Sequence, residues 1–501
     1  MKVNLQTSIG GATGTSPMCK HACGMIRDMG ENGVRKRKTV YGIRIALLVI
    51  LALLCVLTFK PDTGHVFAKE KESKSKNAAQ EKQGRFVKGT DGIWHRQDEN
   101  SFSEVFKRIK REITYSTFSL SLNDTSMEIS FAGREILKVL GKAADTIGQE
   151  LGSDAVCMFV GDIMCLKGQQ YAAEIKGGYD FWPSYSYVAE QFKTADLVCG
   201  NLETLLSESN PYTKAQVNAA NGQPQCNGPT VLLDALRRAG FDMLVTANNH
   251  TCDWGAQGIT ETKQHLDEYG FANAGTHYYS KKEAKAGERF SIFDVNGIKV
   301  AVLSYTHIIN QRGKLNSSET AIMFHQFDRE VVQKDIDDAR AKGAEFIAVY
   351  CHWGIENTET LNSAQQEDSK FLAEAGADLI IGSHPHCLQS CKYIKTDSGK
   401  KVLCMFSMGN FCSSMARDIN NDTIILRIEL QKVMSNKKIT VQMTDASYIP
   451  CRVCNKDNHN CVVVPTNKKF NGGYTSETLN SAAKRISKIM NGVIPEYTGK
   501  K

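Results

Sequence analysis

The main body of this chain lacks any excess of charge. Across 501 residues, 61 Lys and Arg stand against 54 Asp and Glu, a formal net charge of +7. Eight of the bases (Lys2, Lys20, Arg27, Arg35, Lys36, Arg37, Lys38, Arg44) and two acids (Asp28, Glu31) fall in residues 1–44. Six of the seven units therefore lie there, and the rest of the chain sums to about +1. Such a body has no positive field for phosphate backbones, and no basic stripe with interleaved aromatics appears, which argues against nucleic acid as a partner. No internal repeat is present, which sets aside a repeat architecture. A hydrophobic fraction of 42% and a charged fraction of 23% exclude a disordered, collagenous or polytopic membrane chain.

What is present begins with residues 40–59, an apolar run broken only by Arg44 and preceded by Arg35-Lys36-Arg37-Lys38. At about 1.5 Å per residue it is long enough to cross a hydrocarbon core. The basic cluster holds residues 1–39 in the cytoplasm by the positive-inside rule, with Arg44 snorkelling to the headgroups. The expectation is a single-pass cell-membrane protein whose main domain is extracellular. Two alternatives stand beside it: a signal peptide cleaved after Val66-Phe67-Ala68, and a buried helix of a soluble protein. Residues 60–92 read as a polar linker, and 93–153 as a helical adaptor with amphipathic helices near 102–113 and 135–151.

From residue 154 short apolar runs alternate with helical periodicity. The expected strands are 155–160, 196–199, 243–246, 299–304, 346–351, 379–381, 402–406 and 423–430. The expected helices are 185–194, 230–239, 259–269, 329–341 and 364–375. This alternation predicts an α/β domain over 154–450 with a largely buried sheet, followed over 451–501 by a Cys-containing loop and a C-terminal helix. Polar clusters recur at the ends of the expected strands. Gly161-Asp162, Asn201-Leu202-Glu203, Asn248-Asn249-His250, His352-Trp353-Gly354 and His384-Pro385-His386 all follow a strand, where α/β sheets place their ligand sites.

Carboxylate, carboxamide and imidazole donors together suit Mn, Fe or Zn rather than Ca, which prefers oxygen alone. The set Asp162, Asn201, Glu203, Asn249, His352, His384 and His386 has enough donors for one or two divalent ions clamping a phosphoryl group. His250 is then placed to act as general acid, with Asn249 and Asp253 completing the catalytic set. Blander readings exist for single residues. Asp162 could cap a helix, Asn249 could complete a turn, Asp253 could cap a helix near Gly258, and His352 could be a satisfied core histidine. The two histidines at 384 and 386 are more specific, because residues i and i+2 of an extended stretch project to one side.

Six ordered motifs carry a family likeness: Phe159-Val-Gly-Asp162-Ile-Met164, Ala195-Asp-Leu-Val-Cys-Gly-Asn201-Leu-Glu203, Ala247-Asn-Asn249-His250-Thr-Cys-Asp253-Trp-Gly255, His352-Trp-Gly-Ile-Glu356, Gly376-Ala-Asp378 through His384-Pro-His386-Cys-Leu-Gln389, and Phe406-Ser-Met-Gly409-Asn410-Phe411. Over about residues 155–430 they resemble the CapA-type poly-γ-glutamate capsule synthesis proteins. That family looks like a branch of the calcineurin-like metallophosphoesterases. The resemblance implies a two-sheet sandwich flanked by helices, held outside the cell on a membrane anchor. It further implies that Asp162 opens the metal motif, with Met164 where the superfamily has His. Asn201 and Glu203 occupy the strand end that usually supplies a bridging Asp. Asn249 lies on a metal, His250 faces the substrate, and His352, His384 and His386 match the remaining metal histidines. The implied activity is hydrolysis of a phosphoester or of an intermediate of an anionic polymer. The alternative implied is a non-catalytic assembly or export factor working with polymer synthase subunits.

Three of the sixteen cysteines (Cys19, Cys23, Cys55) precede or lie in the apolar run, leaving thirteen beyond it. Many fall inside expected strands (Cys157, Cys199, Cys351, Cys404), where Cys behaves as a small buried hydrophobe. So many exported thiols point to surroundings poor in oxidant. Cys451, Cys454, His459 and Cys461 have ligand-like spacing, readable as a zinc site, a local disulfide or unpaired loop cysteines. Cys351 and His352 do not form a nucleophile–base pair, because neighbours on a strand face opposite sides.

Overall fold

The computed structural model describes residues 84–97, 120–122, 125–127, 154–215, 224–279, 289–435, 438–455, 461–470, 472 and 474–499. The described residues fall into two units, 120–122 with 125–127 in the first and all the others in the second. In the first, Leu120–Leu122 pairs antiparallel with Thr125–Met127. The expected membrane span at 40–59 and the helices near 102–113 and 135–151 lie outside the described residues. Among the described residues no helix is long and apolar enough to cross a membrane.

Among the described residues of the second unit, sixteen strands build the two main sheets. They are β1 (Phe86–Lys88), β2 (Trp94–Arg96), β3 (Asp154–Ile163), β4 (Leu197–Leu202), β5 (Met243–Val245), β6 (Ala272–Ala274), β7 (Phe290–Val295), β8 (Ile298–Thr306), β9 (Phe346–His352), β10 (Leu379–Ser383), β11 (Cys391–Lys395), β12 (Lys401–Met405), β13 (Asn410–Cys412), β14 (Asp422–Ser435), β15 (Lys438–Cys454) and β16 (Val462–Pro465). They form two eight-stranded sheets. One runs β1-β2-β7-β8-β9-β10-β12-β11, and the other β6-β5-β4-β3-β14-β15-β16 with β13 paired to β3. In each sheet a parallel core carries the strand ends of interest: β8, β9, β10 and β12 in the first, β3 to β6 in the second.

Alternation along these strands explains the layering. On β3, Cys157 and Phe159 join the core between the sheets, whereas Met158 and Val160 join the cluster on the outer face. On β9, Ala348 and Tyr350 point inward, and Ile347, Val349 and Cys351 pack outward. Strands buried on both faces read as continuous apolar runs, as these do. Helices cover both outer faces. Arg329–Ala341 starts where the Asp328 side chain accepts the N–H groups of Glu330 and Val331 at 3.0 and 3.1 Å, and it lays Val332, Ile336 and Ala339 on the first sheet. Ser363–Ala375 is capped by Asn362 and stopped by Gly376 at φ 110°.

Several expectations change. The helix expected at 185–194 is two short ones, Trp182–Tyr185 and Ala189–Phe192. The Val188 N–H bonds Tyr185 O, a tighter turn than the α-helix, yet Tyr185, Val188 and Phe192 still face one layer, so the apolar spacing runs across the break. Strand 423–430 extends to Ser435 and pairs along its length with β15. Cys451 and Cys454 sit in β15, not in a loop, and Cys461 leads into β16; all thirteen described cysteines are buried and free, and His459 lies outside the described residues. Strands on both sides of the 154–450 span thus enter the same two sheets, and helix Ser476–Met490 adds Ile486 and Met490 to the inter-sheet core.

Candidate metal centre

The C-terminal ends of the two parallel cores meet over Tyr350, whose hydroxyl donates to Val160 O at 3.2 Å and Cys199 O at 3.1 Å, linking the sheets just beneath the site. Asp162 is near the end of β3 and is paired to Asn201 of β4 on one side and Asn410 of β13 on the other. Gly161 permits this crowding, since a Cβ there would stand 2.1 Å from Gly409 O. Glu203 follows β4, Asn248 to His250 follow β5, His352 ends β9, and His384 and His386 follow β10. All are buried. The His-Pro-His run is not extended, contrary to expectation. His384 has φ 95° and His386 φ 57°, so both rings reach the centre through local kinks held by the surrounding structure.

The side chains converge. His352 Nε2 lies 2.9 Å from Asn249 Oδ1, 3.1 Å from His384 Nδ1 and 3.6 Å from Glu203 Oε1, while its Nδ1 is 2.9 Å from Ser383 Oγ. One ring proton can serve only one of those three neighbours; a cation can serve them all. Glu203, His384 and His386 each offer a ligand atom within 4.8 Å of the others, as do Asp162, Glu203 and His352. His386 Nδ1 is 2.9 Å from the Asn410 oxygen, which accepts its proton and leaves Nε2 bare, 3.7 Å from Glu203 Oε1. Both carboxylate oxygens of Glu203 are buried without a hydrogen-bond partner, a costly state for a carboxylate that bound cation would relieve. The residues present therefore fit a divalent metal.

Asn201 is placed differently from the other expected ligands. Its Nδ2 donates to Asp162 Oδ1 at 2.7 Å, and its oxygen accepts from Asn248 Nδ2 at 3.2 Å. It positions Asp162, whose other oxygen accepts the His384 N–H at 3.1 Å. Asp162 lies within a strand, so it caps no helix. Met164 is buried and offers only a thioether.

Residues 156–415, just over half of the chain, match the family described as bacterial capsule synthesis protein PGA_cap. The chain belongs to this family. The PGA biosynthesis protein CapA of Bacillus subtilis (strain 168) is 30% identical over 279 residues, which cover 55% of this chain and 67% of that protein. The capsule biosynthesis protein CapA of Bacillus anthracis is 29% identical over 279 residues, covering 54% and 63%. The match thus spans about two thirds of the length of these relatives. Among solved structures, Haemophilus influenzae NAD nucleotidase is similar with a TM-score of 0.38 and 11% identity, over 69% of this chain and 57% of that one. The calcineurin-like phosphoesterase YfkN of Bacillus subtilis gives 0.36 and 12%, over 68% and 99%. At such scores the sandwich rests on its own strand pairings.

In this capsule synthesis chain the electrostatics follow from burial. Burial pushes Glu203 well above the usual carboxyl range, reinforced by the neighbouring Asp162 charge. Burial pulls His384 down to about 3, with His386 and His250 adding to it, and carries His352 well below its ordinary value. His250 differs: burial opposes its protonation, yet Cys226 and Asp253 together raise it well above the ordinary value. Its Nδ1 lies 2.6 Å from Asp253 Oδ2, so Asp253 orients the ring and caps no helix; the helix Gly255–Glu268 starts after Trp254 with no side-chain cap. Asn410, Asn248, Ser383 and Cys226 were missing from the expected set. Asn248, Ser383 and Asn410 carried a signal, lying inside the third, fifth and sixth motifs, whereas Cys226 lies outside all six and is brought in by the approach of the Asp253 loop.

Proposed function

We propose that this chain is a membrane-anchored, extracytoplasmic protein of poly-γ-glutamate capsule biosynthesis whose metallophosphoesterase-like sandwich hydrolyses a phosphoester with a divalent metal. The observation that carries this reading is Glu203, a buried carboxylate with neither oxygen partnered, grouped with His352, His384 and His386, with Asn249 set against His352. Support for the anchor comes from the apolar run 40–59 behind its basic cluster. Glu203, Asp162, Asn249, His352, His384 and His386 would hold one or two ions, and imidazole with carboxylate favours Mn, Fe or Zn. When bound, such an ion supplies Lewis-acid polarisation of a phosphoryl oxygen and acidifies a water.

The chain's own residues do the rest. Asn410 fixes the tautomer of His386, and Asn201 holds Asp162 in place. Asp253 fixes Nδ1 of His250, which leaves Nε2 to hold a proton and deliver it to a leaving oxygen. Burial of the whole group excludes bulk water. The near-neutral body means that an anionic polymer or phosphoester substrate is held by the metal and the local pocket instead of a broad positive field.

Phosphodiesterase turnover by the purified full-length chain with Mn²⁺ or Zn²⁺ tests this. His384→Ala and Asn249→Ala abolish it on this account, and turnover that survives both sinks the hydrolase reading. One observation favours a second reading, a non-catalytic assembly or export factor of a synthase complex: Asn201 stands at the bridging position with its amide nitrogen toward Asp162. Capsule output that survives Asp162→Ala and His386→Ala but is abolished by removing residues 155–430 would favour that factor.

A further inference from the structure

Beside the loop that carries Asn249 and His250 lies a thiol that the reading above leaves unused. Cys226 Sγ, a ring nitrogen of His250 and a carboxylate oxygen of Asp253 all lie within 4.8 Å of one another, and all three residues are buried. Their placement is fixed from several directions. The Cys226 N–H donates to Asp253 Oδ2 at 2.6 Å, Gln225 Nε2 donates to Asp253 O at 2.7 Å, and Leu205 N–H donates to Cys226 O at 3.3 Å. Asp253 Oδ2 is thereby shared between the Cys226 amide and His250, whereas Oδ1 is buried with no partner at all. A carboxylate oxygen shut away from water without a donor is the feature that also marks Glu203, here with sulfur at hand.

We propose that Cys226, His250 and Asp253 form a second, thiophilic cation site beside the first centre, selective for ions such as Zn²⁺ or Cd²⁺. Thiolate, imidazole and carboxylate are the donor types that zinc takes in three-ligand sites, and the thiolate separates this site from the sulfur-free centre around Glu203. The neighbouring Cys252 does not serve. It packs with Ile259, Leu315, Met323 and Phe324, and burial first, then the Asp253 charge, pushes its thiol up to about 12. An ion on His250 removes the imidazole from proton delivery, so Zn²⁺ at this site is inhibitory; that consequence alone rests on the hydrolase reading proposed above.

The test is a Cd²⁺ titration of the full-length, reduced chain, followed by the ultraviolet thiolate-to-cadmium charge-transfer band. The Glu203 centre has no sulfur and is silent in this band whether or not it binds metal, so failure here is distinguishable from failure of the hydrolase reading. The expected result is that Cys226→Ser removes one equivalent of the band while Cys252→Ser removes none. Asp253→Asn keeps every thiol and weakens that equivalent about tenfold or more, which carries the test even where Cys226→Ser fails to fold. A wild-type chain without the band, a Cys226→Ser chain that keeps its full amplitude, or an Asp253→Asn chain that titrates like wild type overturns the site.

Discussion

Replacing Glu203 with Gln keeps the shape of the side chain and removes its charge, and it separates two effects that act in opposite directions. In the metal-free protein the wild-type carboxyl is buried with both oxygens unpartnered and is raised above the usual carboxyl range by burial first and by Asp162 second. A carboxyl raised on folding contributes stability only while protonated, so this contribution is lost as pH rises past its unfolded value. At neutral pH the metal-free Glu203→Gln chain is therefore the more stable one, by about 1–3 kcal/mol, because a neutral amide is cheaper to bury than a carboxyl that tends to ionise. Metal acts the other way and takes about 2.3 kcal/mol off that lead. At a free metal concentration about 100 times its Kd the wild type gains about 2.7 kcal/mol, and at about 2 °C per kcal/mol this raises Tm by about 5 °C. If loss of one anionic ligand weakens binding about 100-fold, the variant gains only about 0.4 kcal/mol, under about 1 °C. Scanning calorimetry of the full-length chain with and without Mn²⁺ or Zn²⁺ measures all four values. A variant whose metal-free Tm falls below wild type, or whose metal-induced rise equals that of wild type, refutes the assignment of Glu203 as a ligand.

Three further outcomes follow from the same geometry. His250→Gln leaves the Mn²⁺ content of the Glu203 centre unchanged and lowers kcat about 10²–10⁴-fold, as for loss of a general acid, which kinetics beside manganese analysis will separate. Asn410→Leu removes the acceptor 2.9 Å from His386 Nδ1 and weakens metal binding about 10–100-fold with the ligands themselves untouched, read by competition with a chelating dye. Metal affinity rises with pH, because a Glu203 held above its ordinary range must give up its proton to bind, and the rise levels off once Glu203 is ionised in the metal-free protein; a flat affinity profile through that range contradicts it.

The strands that carry the site were legible because burial on both faces makes them short apolar runs, as in Phe346–His352 and Leu379–Ser383. Lys438–Cys454 was not, because its outer half alternates polar and apolar residues and its partner Asp422–Ser435 is revealed only by pairing. The strand-end rule placed Asp162, Glu203, Asn249, His352, His384 and His386 together. It could not show that Asn201 would turn its amide toward Asp162, since that depends on Asn248 arriving from another loop to take the oxygen. Nor could it show that His384 and His386 converge through positive φ angles instead of strand alternation. Cys226 stood 24 positions before His250 in a stretch without periodicity, and only the fold of the Asp253 loop brings the two together.

The proposed hydrolase needs a divalent metal held where the two sheets meet. Metal analysis of the purified full-length chain, joined to anomalous scattering from its crystals, tests it most directly. One or two ions of Mn, Fe or Zn are expected among Glu203, His352, His384 and His386, lost in Glu203→Gln together with His384→Ala. A wild-type chain with no anomalous peak at that junction after soaking in these metals contradicts it.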